Sequence, residues 1–91
     1  MDKKTIAVIL RDRQSEALRM SIGLTILEDY VEVFLTEQLK HDGETEIQLE
    51  GAKEMGVRLF SIASSDDPGF ERIKIEEMAE RLIKADNIIA Y

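Results

Sequence analysis

Thr5-Ile6-Ala7-Val8-Ile9-Leu10, Ser15-Glu16-Ala17-Leu18-Arg19-Met20-Ser21-Ile22-Gly23-Leu24-Thr25-Ile26-Leu27 and Tyr30-Val31-Glu32-Val33-Phe34-Leu35 decide the fold of this chain. They read as strand, helix, strand. The first run is continuously apolar and rich in β-branched residues, which predicts a central strand of a parallel sheet, buried on both faces. Arg11-Asp12-Arg13-Gln14 interrupts it. Ser15 is the predicted N-cap, and Glu16 suits the positive end of the helix dipole. At about 100° per residue, Ala17, Met20, Leu24 and Leu27 share one stripe. Leu18, Ile22 and Ile26 form a second stripe on the opposite side. Gly23 lies between them. A mid-helix glycine costs about 1 kcal/mol against alanine, so its presence suggests close approach of another backbone.

An ordinary surface helix needs only one apolar stripe. The second stripe has two possible destinations. It packs within its own chain, against the last helix or under a loop, or it meets another subunit. Contiguous exposed apolar surface on a small protein usually marks a contact site, so Leu18, Ile22 and Ile26 are candidate oligomer-interface residues.

The remaining pattern continues the alternation of strand and helix. In the second strand Glu32 and Phe34 alternate with Val31, Val33 and Leu35, which suggests a less buried strand. Residues 36–45 read as a polar connection containing His41-Asp42-Gly43. A weaker helix is expected over 46–55, with Ile47, Gly51 and Met55 on one side and Gly56 as its stop. A third strand is expected over 57–63, followed by the loop Ser64-Ser65-Asp66-Asp67-Pro68-Gly69. The last helix starts at Glu71 or Ile73 and runs to Lys84. Ile75, Met78, Ala79 and Leu82 form its apolar stripe, and Glu76, Glu77, Glu80, Arg81 and Lys84 face water. Glu77/Arg81 and Glu80/Lys84 have the favourable i, i+4 order. Ile88-Ile89-Ala90-Tyr91 reads as a short final strand. The order β-α-β-α-β-α-β implies a mostly parallel four-stranded sheet with helices on both faces.

A length of 91 residues fits one domain with a thin core. The net charge of −7 should repel nucleic acid and anionic membrane surfaces. There is no basic stripe and no aromatic ladder. The absence of cysteine excludes disulfides, thiolate metal sites and thiol nucleophiles in this chain. The first apolar run is too short for the core of a signal peptide, and no stretch approaches a membrane span. The expectation is a soluble cytoplasmic protein with no cofactor, no direct nucleic-acid partner and no membrane partner.

The strand 6–10, the phrase Arg19-Met20-Ser21-Ile22-Gly23-Leu24-Thr25 followed by Val31-Glu32-Val33-Phe34-Leu35, and Gly56-Val57-Arg58-Leu59-Phe60 carry a wider likeness. Across nearly its whole length the chain resembles the DsrE/DsrF-like family of small sulfur-relay proteins, which includes the Tus-type subunits of tRNA thiolation. His41-Asp42-Gly43 is similar to a step that often follows the second strand there. The resemblance implies a single DsrE-like domain over 1–91, a three-layer α/β/α sandwich. It also implies assembly into homo-oligomers, or hetero-oligomers with other DsrE-like subunits. In active members a persulfide-bearing cysteine lies just beyond the middle of the third strand. Gap-free placement from Gly56-Val57 puts that position at Ile62 or neighbouring Ser61, neither of which carries a persulfide. The implied role is that of a non-catalytic partner subunit in sulfur relay or related redox traffic.

Ligands of open parallel sheets bind beyond the carboxyl ends of the strands. The loops 11–15 and 64–69 leave those ends, so Arg11, Arg13, Ser15, Ser64 and Ser65 are candidate ligands for a small anion. The plainer reading is a solvated rim and a helix cap. No GxGxxG, Walker, HExxH or GxSxG pattern is present. The third strand ends Ser61-Ile62-Ala63, without the aspartate of a phosphoacceptor receiver. His41 is the sole histidine, a candidate general base for a hydrolase or simply an exposed loop residue. Asp66-Asp67 reads as a turn before Pro68-Gly69 rather than a metal site, and Glu76-Glu77-Glu80 as a solvated helix face.

Overall fold

Chain order runs β1 (Thr5–Leu10), α1 (Gln14–Ile26), β2 (Tyr30–Leu35), α2 (Gly43–Glu54), β3 (Arg58–Ser61), β4 (Glu71–Arg72), α3 (Ile75–Lys84) and β5 (Asn87–Ala90). The computed structural model describes residues 4–27, 30–37, 39, 42–62 and 69–90. The five strands form one sheet in the order β4-β3-β2-β1-β5. All four neighbouring pairs are parallel, and β1 pairs with β2 from Thr5 opposite Tyr30 to Leu10 opposite Leu35.

The two-residue side-chain period of the strands sorts the core into two layers. Ile6, Val8, Leu10, Val31, Val33 and Leu35 face one side, where Ala17 and Leu18 of α1 and Leu49 and Ala52 of α2 cover them. Ala7, Phe34 and Phe60 face the other side, where they meet Met78 and Leu82 of α3. The protein is therefore an α/β fold with helices on both faces of a parallel sheet.

Several local expectations are corrected. The sheet has five strands, not four, because Glu71–Arg72 adds a short edge strand where the sequence pattern began the last helix. The Ile73 N–H donates to the Ser61 carbonyl at 3.0 Å, drawing the chain back alongside β3. Both β4 side chains are exposed, so no apolar alternation betrays it. Charged residues on a short edge strand also discourage pairing with other chains. The second strand is not the less buried one. It is the central strand, and only Tyr30 is exposed.

Helix starts also differ. α1 begins at Gln14, and its N-cap, Arg13, makes no side-chain capping bond; Ser15 lies within the first turn. α2 begins earlier than expected because the Asp42 carboxylate accepts from the Thr45 N–H at 2.8 Å, a side-chain N-cap. Its end agrees with the sequence reading. Gly56 has φ +79°, the left-handed conformation that stops a helix. At the sheet's lower edge the Thr5 N–H donates to the Asp86 carboxylate, and the Asp86 N–H donates to the Thr5 carbonyl, each at 2.8 Å. This reciprocal pair fixes where β5 joins β1.

Candidate functional site

The two stripes of α1 are the two flanks of a helix set between neighbours. Its buried residues are Gln14, Ala17, Leu18 and Ser21, whose common direction falls between the stripes. Met20 and Leu24 on one flank are half-buried against the same core as Ile89 of β5. Leu18 and Ile22 on the other flank face α2. The contact is close: a Cβ on Gly51 would lie 3.0 Å from Ile22 Cδ1. Leu18 is fully buried in its own core, so it offers no surface to a second subunit. Only the outer end of the stripe remains free, with Ile26 66% and the adjoining Leu27 71% exposed. Among the described residues the neighbour of the stripe is α2 rather than the last helix, and Leu39 of the connection before α2 is buried in the same core. The close approach expected at Gly23 occurs instead at Gly51; nothing lies within 4 Å of a Cβ built on Gly23.

At the carboxyl rim Arg11 and Arg13 are exposed and Ser15 is half-buried. Arg13 reaches Glu16 only at 4.0 Å, with both side chains mostly in solvent. Ser15, Arg19 and Gln48 line a cleft of about 270 Å³ together with Glu16, Glu44 and Ile47. Two carboxylates against one guanidinium make this cleft a poor seat for an anion. Ser64, Ser65, Asp66, Asp67 and His41 lie outside the described residues. Ile62 is half-buried and packs against the layer containing Phe34 and Phe60. Its N–H donates to the Leu35 carbonyl at 3.1 Å. The position implied for a persulfide is thus occupied by a packing residue.

The structure also assembles a group that the sequence reading missed. Glu32, 7% exposed, sits on the α3 side of central β2. Arg81 binds its carboxylate at 2.7 Å, and Arg58, its register partner on β3, stands at 3.7 Å. The Arg81 guanidinium also bonds Glu77 at 3.3 Å and lies 4.4 Å from the centroid of the Phe60 ring. Phe60 in turn stacks on Phe34 at 5.5 Å. A buried carboxylate must be paired or neutralised, and here one cation from α3 and one from β3 supply the pairing. Arg81 was expected to face water; instead it folds back over the sheet. The signal was present in Val31-Glu32-Val33, a single charge inside an apolar run, but no local pattern names Arg81, 49 residues away.

This cluster borders a cleft of about 400 Å³ lined by Thr5, Glu32, Glu77, Glu80, Arg81 and Lys84. The cleft lies at the amino ends of the strands, opposite the rim where parallel sheets bind ligands. Among the described residues, every buried side-chain polar atom has a partner. None of them form a group of three metal-capable side chains. No described helix is long and apolar enough to cross a membrane. The arrangement supports packing and charge pairing more than chemistry at a reacting atom. Comparisons with family models, curated proteins and solved structures find no match to this chain.

Proposed function

We propose that this protein is a non-catalytic DsrE-like subunit that oligomerises and supports intracellular sulfur relay or related redox traffic through a partner. The observation that carries this reading is Ile62. Directly after β3, where the resemblance implies a persulfide-bearing cysteine, stands an isoleucine packed against the Phe34 and Phe60 layer, in a chain without cysteine. Such a subunit shapes an assembly whose sulfur chemistry belongs to another chain. The test is co-expression with a cysteine-bearing DsrE-like subunit from the same source, followed by native mass spectrometry. A mixed assembly is expected. Recovery of the two chains only as separate species at tens of micromolar overturns the proposal.

The alternative is a small-anion or small-ligand module at the carboxyl rim. The uncapped start of α1 beside Arg11 and Arg13 favours it, while Glu16 and Glu44 in the adjoining cleft oppose it. A phosphate-dependent rise in Tm that disappears in Arg13→Ala would support this reading over the first.

A further inference from the structure

Assembly needs a surface, and we propose that one such surface is the outward side of α1 centred on Gly23, covered by a second copy of this chain about a two-fold axis. The inference rests on the assembling role proposed above and names the contact. Gln14, Ala17, Leu18 and Ser21 define the inward direction of α1. At about 100° per residue, Gly23 points almost directly away from them. Its surroundings are open, so no described residue of its own chain requires the missing side chain. A glycine here costs helix stability but permits a second backbone to pass close to the helix.

Charge favours the same place. From Met20 to Leu27 the chain carries no charged residue, whereas α2 presents Glu46, Glu50 and Glu54, and α3 presents Glu76, Glu77 and Glu80, all exposed. Two copies of a chain with net charge −7 meet with least repulsion where carboxylates are few, and among the described residues of α1 Glu16, two turns before Gly23, is the one carboxylate. Ile26 and Leu27 flank Gly23 on the helix surface and are mostly exposed. Met55, 44% exposed, is the C-cap residue of α2, one turn beyond Gly51, the residue that Ile22 of α1 approaches. These side chains offer on the order of 300 Å² of apolar surface per copy, enough for the apolar part of a contact at the small end of specific interfaces. The pairing is therefore concentration-dependent. An antiparallel crossing at Gly23 sets Ile26 against Met20 of the second copy and Leu27 over the aliphatic stem of its Arg19.

Sedimentation equilibrium on the full chain, from low micromolar to several hundred micromolar, tests this. A monomer–dimer equilibrium is expected. Gly23→Leu and Ile26→Glu should each weaken it at least tenfold, with unchanged far-UV circular dichroism because both sites are exposed. Gly23→Ala should raise the Tm of the dilute monomer by about 4 °C while weakening the dimer. A wild-type chain that stays monomeric throughout overturns the inference, as does a dimer indifferent to both Gly23→Leu and Ile26→Glu. The two readings fail separately. Loss of the homodimer with the mixed assembly intact removes only the two-fold contact. A Gly23-dependent homodimer without a mixed assembly removes only the sulfur-relay reading.

Discussion

On one face of the sheet, α1 and α2 lie side by side and bury Leu18, Leu49 and Ala52 against the aliphatic rows of β1 and β2. On the other, among the described residues, α3 and Ile73 just before it cover Phe34 and Phe60, and Met78 is the only buried residue of α3. The first face is closed mainly by hydrocarbon, with the buried polar side chains Gln14, Ser21 and Thr45 on its helices. The second is closed by one helix with the help of Glu32, Arg81 and the stacked rings. The difference explains the sequence patterns. A helix with a neighbour needs apolar residues toward the sheet and toward that neighbour, so α1 carries two stripes. A helix without one meets the sheet along a narrow line, so α3 is strongly amphipathic, and Ile75 and Ile83 at its sides are 64% and 84% exposed.

The largest expected effect falls on the two-helix face. Leu18→Ala removes a fully buried side chain between α1 and its neighbours and should cost about 2–5 kcal/mol, read from urea denaturation. A loss below about 1 kcal/mol would mean that the site collapses easily and that the stripe is not sealed by α2. On the single-helix face, Glu32→Ala leaves Arg81 and Arg58 without their shared carboxylate. Both guanidinium groups keep access to water, at 28% and 60% exposure, so the cost should be nearer about 1–2 kcal/mol. A double-mutant cycle with Arg81→Met isolates the pair, since methionine keeps an apolar stem near Phe60. A coupling energy close to zero would show that α3 is held by Met78 and Leu82 without the ion pair.

Much of this contrast was legible in the sequence, and what escaped has physical reasons. The strands 5–10 and 30–35 and the stop at Gly56 follow from local rules: apolar period, β-branching and left-handed backbone. The destination of Leu18 and Ile22 did not, because helical periodicity gives a direction around the axis and not the identity of the neighbour. Gly51 held that information, yet a glycine in a weak helix says nothing about which chain approaches it. Glu32 reads as a sign of exposure because alternation cannot distinguish solvent from a distant arginine. The edge strand β4 is invisible because two charged residues carry no periodicity, and the Asp42 cap is indistinguishable in sequence from the rest of its polar connection. Of the candidate site, Arg11, Arg13 and Ser15 stand at the rim as the topology predicted. The cleft beside them is more acidic than expected, because Glu44 arrives from α2.

Gly56→Ala tests the chain reversal between the two-helix layer and β3. Its φ of +79° is strained for any residue with a Cβ, although the space around it is open. The expected loss is about 1 kcal/mol. A neutral result would mean that the turn relaxes to negative φ without disturbing Val57, whose N–H bonds the Ala52 carbonyl at 3.0 Å.

The smallest effect discriminates most sharply between the two flanks of α1. Gly51→Ala should gain up to about 1 kcal/mol of helix propensity, but the new methyl would stand 3.0 Å from Ile22 Cδ1. That atom is the tip of a side chain and has to move a few tenths of an ångström, so gain and crowding nearly cancel in the wild-type background. Ile22→Val removes the tip. In that background Gly51→Ala should show most of its propensity gain, giving a non-additivity of about 0.5 kcal/mol or more between residues on different helices. Equal effects of Gly51→Ala in both backgrounds would place Ile22 away from Gly51. The stripe would then be free from Ile22 outward, and the surface available to a second subunit would extend from Ile26 back toward Ile22.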